Sequence, residues 1–212
     1  MVSADAIVEL HDQRTRAWHK AREADGDSAA AGHTQDPEAA WLELVARQHG
    51  ANFDLWHIED EARTPDATCE LIAGVKRRID TTNQRRNDLA EELDRVLLDW
   101  LANQGLPNAE AQLNSESPGL MIDRLSILAL KIYHTREEAT RTDAPEGHAK
   151  RNRERLEVLT EQRADLAECL DRLWQETLKG TRRFKIYKQM KMYNDPDLNP
   201  AIYRKPSTES VG

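Results

Sequence analysis

His57 and Asp60 stand three residues apart, so on a helix they share a face, with Phe53 and Trp56 beside them. A histidine steered by a carboxylate is a general acid or base near neutral pH. A second group lies further along: Lys76, Asp80, Asn83, Arg86 and Asn87, with Asp80, Asn83 and Asn87 at i, i+3 and i+7. A third comprises Lys131, His134 and Arg136. Lys76, Arg86, Lys131 and Arg136 suit a carboxylate or phosphate, the arginines in bidentate fashion. Asn83 and Asn87 would orient such an anion. His57, Asp60 and Asp80 would be the catalytic set.

The polar residues of the second group interrupt an apolar stripe. At about 100° per residue, Ile72, Val75, Ile79, Leu93, Leu97 and Trp100 fall on one helical face. Asn83 and Arg86 fall near the centre of that face, and Lys76 and Asn87 on its flank. A core-facing stripe carries such groups only if they are paired, hydrated or in use. Bland alternatives stand beside each: a local His57–Asp60 pair, Asn83 and Asn87 setting helix register, and Arg86 and Arg136 in interhelical ion pairs.

Helix signals position these groups. Ser3 caps a helix from about 4 to 24, and residues 25–35 read as a linker. Asp36-Pro37 opens a second helix, which Gly50 breaks or kinks before it resumes through Phe53 to Arg63. Thr64-Pro65-Asp66 starts a long helix to about Asn103, and residues 105–117 form a loop. Ser117-Pro118 starts a fourth helix, apolar almost all round and therefore central, ending near Arg141. A fifth runs from about 149 to 179, closed by Gly180. Beyond it, Phe184, Tyr187, Tyr193 and Tyr203 alternate with Lys185, Lys188 and Lys191. No strand pattern is evident. The fold expected is all-α: an elongated up-and-down-like bundle of about five helices with an ordered C-terminal strap. Its parts are an N-terminal helix and linker (1–35), the bundle core (36–180), the strap (181–205) and a disordered tail (206–212).

Composition limits the classes. Charged residues make up 32% and the net charge is −8, which argues against general nucleic-acid binding. No window approaches 18 apolar residues and the N-terminus lacks a signal pattern, so no membrane span and a cytoplasmic location are expected. Cys69 and Cys169 read as free thiols. Exposed apolar surface on the long helices leaves room for a homodimer.

The blocks Phe53–Arg63, Lys76–Asp88, Asn114–Gly119, Leu125–His134 and Lys191–Pro200 resemble a bacterial family catalogued as domain of unknown function 4254. The resemblance spans roughly residues 40 to 203 in five ordered blocks. It supports the helical fold and the choice of blocks, and implies no reaction and no cofactor. Val75–Asp80 is also similar to helical chorismate mutases, which bind a dianion with Arg and Lys inside a bundle.

Three functions follow as expectations. The first is a protein that binds or transforms an anionic small metabolite without metal, with His57/Asp60 as the acid–base pair. The second is a metal-dependent enzyme. His57-x-x-Asp60 followed by Asp80-x-x-Asn83 is similar to the paired acidic motifs of all-α nucleotide pyrophosphatases, although His is a poor Mg²⁺ ligand. A transition metal on His57, Asp60, Asp80 and His134 belongs to the same reading. The third is a non-catalytic scaffold or accessory subunit that docks a partner through the strap.

Overall fold

The helices begin where short polar side chains can cap them. In a computed structural model that describes residues 3–23, 36–188 and 197–200, five α-helices form among those residues. They are α1 (Ala4–Glu23), α2 (Pro37–Glu61), α3 (Cys69–Ala102), α4 (Pro118–Thr140) and α5 (His148–Leu178). Asp36, Thr68 and Ser117 cap α2, α3 and α4 by accepting from backbone N–H groups of the first turn. Two starts differ from the sequence-based ones. Gly50 does not interrupt α2: it packs against Trp18, and tertiary contact outweighs the roughly 1 kcal/mol helix cost of one glycine. The long helix is capped by Thr68 rather than Thr64, because Asp66 takes a positive φ of 62° and turns the chain first.

α4 packs against all four other helices and buries eleven of its residues, among them Ile122, Leu125 and Leu130. Ile7, Val45, Leu93 and Leu170 close the core around it. α3 comes so close to α4 that a Cβ on Gly119 would lie 2.2 Å from the Ala90 carbonyl oxygen. Asp94 holds the contact by accepting from Gly119 N–H at 2.6 Å and from the Ser117 hydroxyl.

Partner registers fix the helix directions. Asp54 with Arg85 and Glu61 with Arg78 make α2 and α3 antiparallel, and Arg86 with Asp123 and Asp94 with Ser117 do the same for α3 and α4. Asp12 with Arg163 and Ala4 with Asp171 set α1 against α5. From α2 to α5 the bundle runs up and down. α1 instead runs parallel to α2 and α4, as His11 with His49 and His19 with His57 show.

Two short strands, β1 (Gln112–Leu113) and β2 (Arg182–Arg183), pair in parallel between the α3–α4 connection and the end of α5. Two-residue strands are too short to leave an alternating pattern in a sequence. Phe184 follows β2 into the core at 2% exposure. Of the expected strap, Lys191, Tyr193 and Tyr203 lie outside the described residues, as do the tail 206–212 and the linker 25–35. No helix among the described residues is long and apolar enough to cross a membrane.

Candidate metal centre

α1, α2 and α4 run the same way, so equal steps along each reach the same level of the bundle. His11 and His19, His49 and His57, and Ser126 and His134 are all separated by eight residues. Eight residues of helix rise about 12 Å. The consequence is two polar layers, one two turns below the other; α1, α2 and α4 supply both, and α3 adds Arg86 to the upper one.

The upper layer is closed. Asp123, on α4, receives both Nε (2.8 Å) and Nη2 (2.6 Å) of Arg86. Its Oδ1 also accepts from Gln48 (2.5 Å) and Asn52 (2.9 Å). The second Asn52 proton goes to the Ser126 hydroxyl at 2.9 Å. Thr15 donates to the His11 carbonyl at 2.8 Å and so accepts from His49 Nε2 at 2.9 Å. His49 Nδ1 is then left to accept from Ser126 at 2.7 Å. Burial holds His49 neutral, with its pKa pushed down to about 3. His11, completely buried beside it, is also held well below its usual range by burial, and neither of its ring nitrogens has a partner.

The lower layer is open at its centre. One ring nitrogen from each of His19, His57 and His134 lies within 4.8 Å of the other two. The Nδ1 atoms all have partners. His19 Nδ1 reaches the Thr15 carbonyl and His57 Nδ1 the Phe53 carbonyl, each at 2.8 Å, and a carbonyl can only accept. His134 Nδ1 meets the Glu137 carboxylate at 2.9 Å. All three rings therefore carry their proton on Nδ1 and offer Nε2 as a lone pair. The Nε2 atoms of His19 and His134 are buried without a hydrogen-bond partner. Burial lowers the pKa values of His19 and His57, which favours the neutral, ligating form. Aromatic rings wall the cluster: Tyr133 stacks on His19 at 4.2 Å, Trp56 on His134 at 4.7 Å, and Phe53 lies 4.4 Å from His57.

Three converging lone pairs repel one another unless a cation or proton donor sits between them. A tetrahedral metal with bonds of about 2.0–2.1 Å to nitrogen needs its ligand nitrogens about 3.3 Å apart. A backbone carbonyl or carboxylate on the far nitrogen is the usual support of a ligating histidine.

Among the sequence-based candidates, only His57 and His134 enter this cluster. Asp60 is exposed and faces Arg63 at 3.9 Å, and the His57 Nδ1 bond goes to the backbone instead of to it. Asp80 pairs with Lys76 on the side of α3 that borders a surface hollow shared with Arg47 and Arg77. Asn83 accepts from Arg86 Nη1 at 3.3 Å, and Asn87 keeps a buried, unpartnered Nδ2. Lys131 and Arg136 are exposed, because α4 turns them away from its neighbours while Ile132 and Thr135 point inward. Arg86 stands in the closed layer. The expected convergence of all these residues on one point is thus replaced by two separate layers.

His19 is missing from the sequence-based set because α1 reads as a helix outside the core. The signal was there: His11, Thr15 and His19 repeat every four residues on the face that carries Ile7.

One family, described as a protein of unknown function (DUF4254), matches residues 42–186, a stretch that includes His57, His134 and Glu137 but not α1. No curated protein and no solved structure matches the chain.

Proposed function

The chain belongs to the DUF4254 family, and with that as premise we propose that it is a metal-dependent enzyme whose centre is His19, His57 and His134. The observation that carries this is one ring nitrogen from each of three histidines, on three helices, within 4.8 Å of the other two, with every Nδ1 engaged by a carbonyl or a carboxylate. All-nitrogen donors favour zinc or a neighbouring transition metal over Mg²⁺. Three protein ligands leave a position for water or substrate, the arrangement of catalytic rather than structural zinc. A metal bound there supplies Lewis acidity and lowers the pKa of a coordinated water to about 7. The reaction class is hydrolysis or hydration of a small polar substrate.

The side chains around the centre have defined tasks. Glu137 keeps the proton on Nδ1 of His134 and fixes that ring's orientation, while the Thr15 and Phe53 carbonyls fix the other two rings. Phe53, Trp56 and Tyr133 exclude water, which strengthens metal–ligand electrostatics. A cleft of about 370 Å³, lined by Asn52, Trp56, Asp60, Arg63, Arg86 and Leu130, reaches Trp56, the ring that stacks on His134. Binding of an anionic metabolite without metal draws less support. Lys76 and Arg86 already have carboxylate partners, and Lys131 and Arg136 are exposed.

The test is metal titration of chelator-stripped, full-length protein. One Zn²⁺ or Co²⁺ per chain is expected, with the visible spectrum of Co²⁺ in a low-coordinate nitrogen site. His19→Ala, His57→Ala and His134→Ala should each weaken binding by at least on the order of 100-fold. Wild-type protein that takes up neither ion, or His57→Ala protein that binds as well as wild type, removes the reading.

A further inference from the structure

α1 differs from the other helices in what it buries. Its fully buried apolar residues are Ala4 and Ile7, flanked by the partly buried Ala6, Val8 and Leu10. Each of the other four helices buries at least five. The remaining buried residues of α1 are polar: His11 and Thr15. Thr15 has partners for its hydroxyl, but both ring nitrogens of His11 are sealed in the core without one. His19, further along the same helix, adds a third buried ring nitrogen with no partner. A neutral imidazole taken out of water keeps one N–H and one lone pair, and each destabilises the packed state when nothing replaces the water. α1 therefore docks with little apolar burial in its favour and unmet polar groups against it. Ion pairs of Asp12 with Arg163 and Arg14 with Glu43 hold its edges.

The other two histidines of the cluster do not depend on α1. His57 on α2 and His134 on α4 belong to a body in which α2, α3, α4 and α5 pack on one another. That body alone offers two ring nitrogens, and the third arrives when α1 docks. A ligand that binds the docked state and not the undocked one stabilises docking by mass action, and the coupling is reciprocal. Undocking also bares the ligating nitrogens, which gives an ion a way in.

We propose that α1 is a metal-operated latch: an ion at His19, His57 and His134 holds α1 against the bundle, and how firmly α1 docks sets the affinity for that ion. The latch rests on the metal centre proposed above.

Hydrogen exchange of the full chain with and without Zn²⁺ tests it. A helix of this length detached from its neighbours is marginal, so undocking exposes its amides to exchange. Zn²⁺ should slow exchange across residues 7–19 by about tenfold or more, and His57→Ala, which leaves α1 untouched, should abolish the slowing. Two variants remote from the ion then read the reciprocal effect. Ile7 is twelve residues from His19, about 18 Å along α1. Ile7→Ala should loosen docking and weaken Zn²⁺ binding about tenfold. His11→Leu strands no polar group, so it should slow α1 exchange in metal-free protein and strengthen Zn²⁺ binding severalfold. If Ile7→Ala does not fold, His11→Leu decides. Zn²⁺ uptake that leaves α1 exchange unchanged, or an unchanged affinity in either folded variant, overturns the latch and leaves the metal centre standing. Wild-type protein that takes up no ion overturns both.

Discussion

The closed layer around Asp123 and the open layer around His57 lie two turns apart on α1, α2 and α4, with α3 adding Arg86 to the first, and they differ in where their lone pairs point. In the upper layer Arg86, Gln48 and Asn52 converge on one carboxylate, and His49 has a hydroxyl partner on each nitrogen. Its unmet atoms, Gln48 Oε1 and both ring nitrogens of His11, are sealed in the core at 0% exposure. The network fixes register among α2, α3 and α4 and is costly to break. In the lower layer each Nδ1 is satisfied, by Thr15, Phe53 or Glu137, and the Nε2 atoms of His19 and His134 are left bare. Polarity within a core is thus a poor marker of a site. The direction of the unmet valence is the better one.

The comparison breaks first on stability. Asp123→Ala should leave Arg86 half-buried without its counter-charge and should strand Gln48 and Asn52. A loss on the order of 3–5 kcal/mol is expected, read by urea denaturation of metal-free protein. His57→Ala, assayed the same way, should cost far less, because that ring's polar valence meets one backbone carbonyl. Equal losses for the two would erase the distinction between the layers.

Much of this was legible in the sequence, for reasons that also explain the rest. Five helices announce themselves by caps and apolar spacing, and Asn83 and Arg86 betray a polar contact because they break a stripe. Their partners stay hidden. Asp123 and Ser126 sit on a helix that is apolar nearly all round, where one face cannot be told from another. Gln48 and His49 adjoin Gly50 and are lost in an apparent helix break. The parallel direction of α1 depends on long-range packing, and without it His19 has no reason to meet His57. Of the strap, residues 181–188 and 197–200 are among those described, and Phe184 at its base is buried.

Acid should act mainly on the upper layer. His49 has a folded pKa of about 3 against 6.5 in the unfolded chain, so below pH 6.5 the unfolded state binds a proton that the folded state refuses. Stability then falls as pH falls, by about 1.4 kcal/mol per unit, or roughly 2 kcal/mol between pH 6.5 and 5. His11, and the half-buried His19 and His57 of the lower layer, act in the same direction. Asp94 opposes both: burial raises its pKa to about 6 from 3.8, so between these values the folded state keeps a proton that the unfolded state releases. Its contribution rises as pH falls through that window. Metal-free Asp94→Asn protein should therefore lose stability more steeply than wild type between pH 6.5 and 5. An unchanged slope would take Asp94 out of the balance.

The smallest effect separates the layers most finely, and it is at Glu137. This carboxylate bonds His134 Nδ1, yet half of its side chain is in water, so solvent screens its charge and little folding energy rests on it. Support for a ligating ring predicts a graded response in metal affinity. Glu137→Gln keeps an acceptor for Nδ1–H and loses the charge, and Zn²⁺ binding should weaken about tenfold. Glu137→Ala loses the acceptor as well, lets the ring turn, and should weaken binding toward 100-fold. Metal-free stability should move by less than about 0.5 kcal/mol in both, as for other surface changes. If either variant instead lowers metal-free stability by a kcal/mol or more while Zn²⁺ affinity holds, Glu137 serves helix packing as Asp123 does. His134 would then lose the support that distinguishes a ligand from one more buried ring.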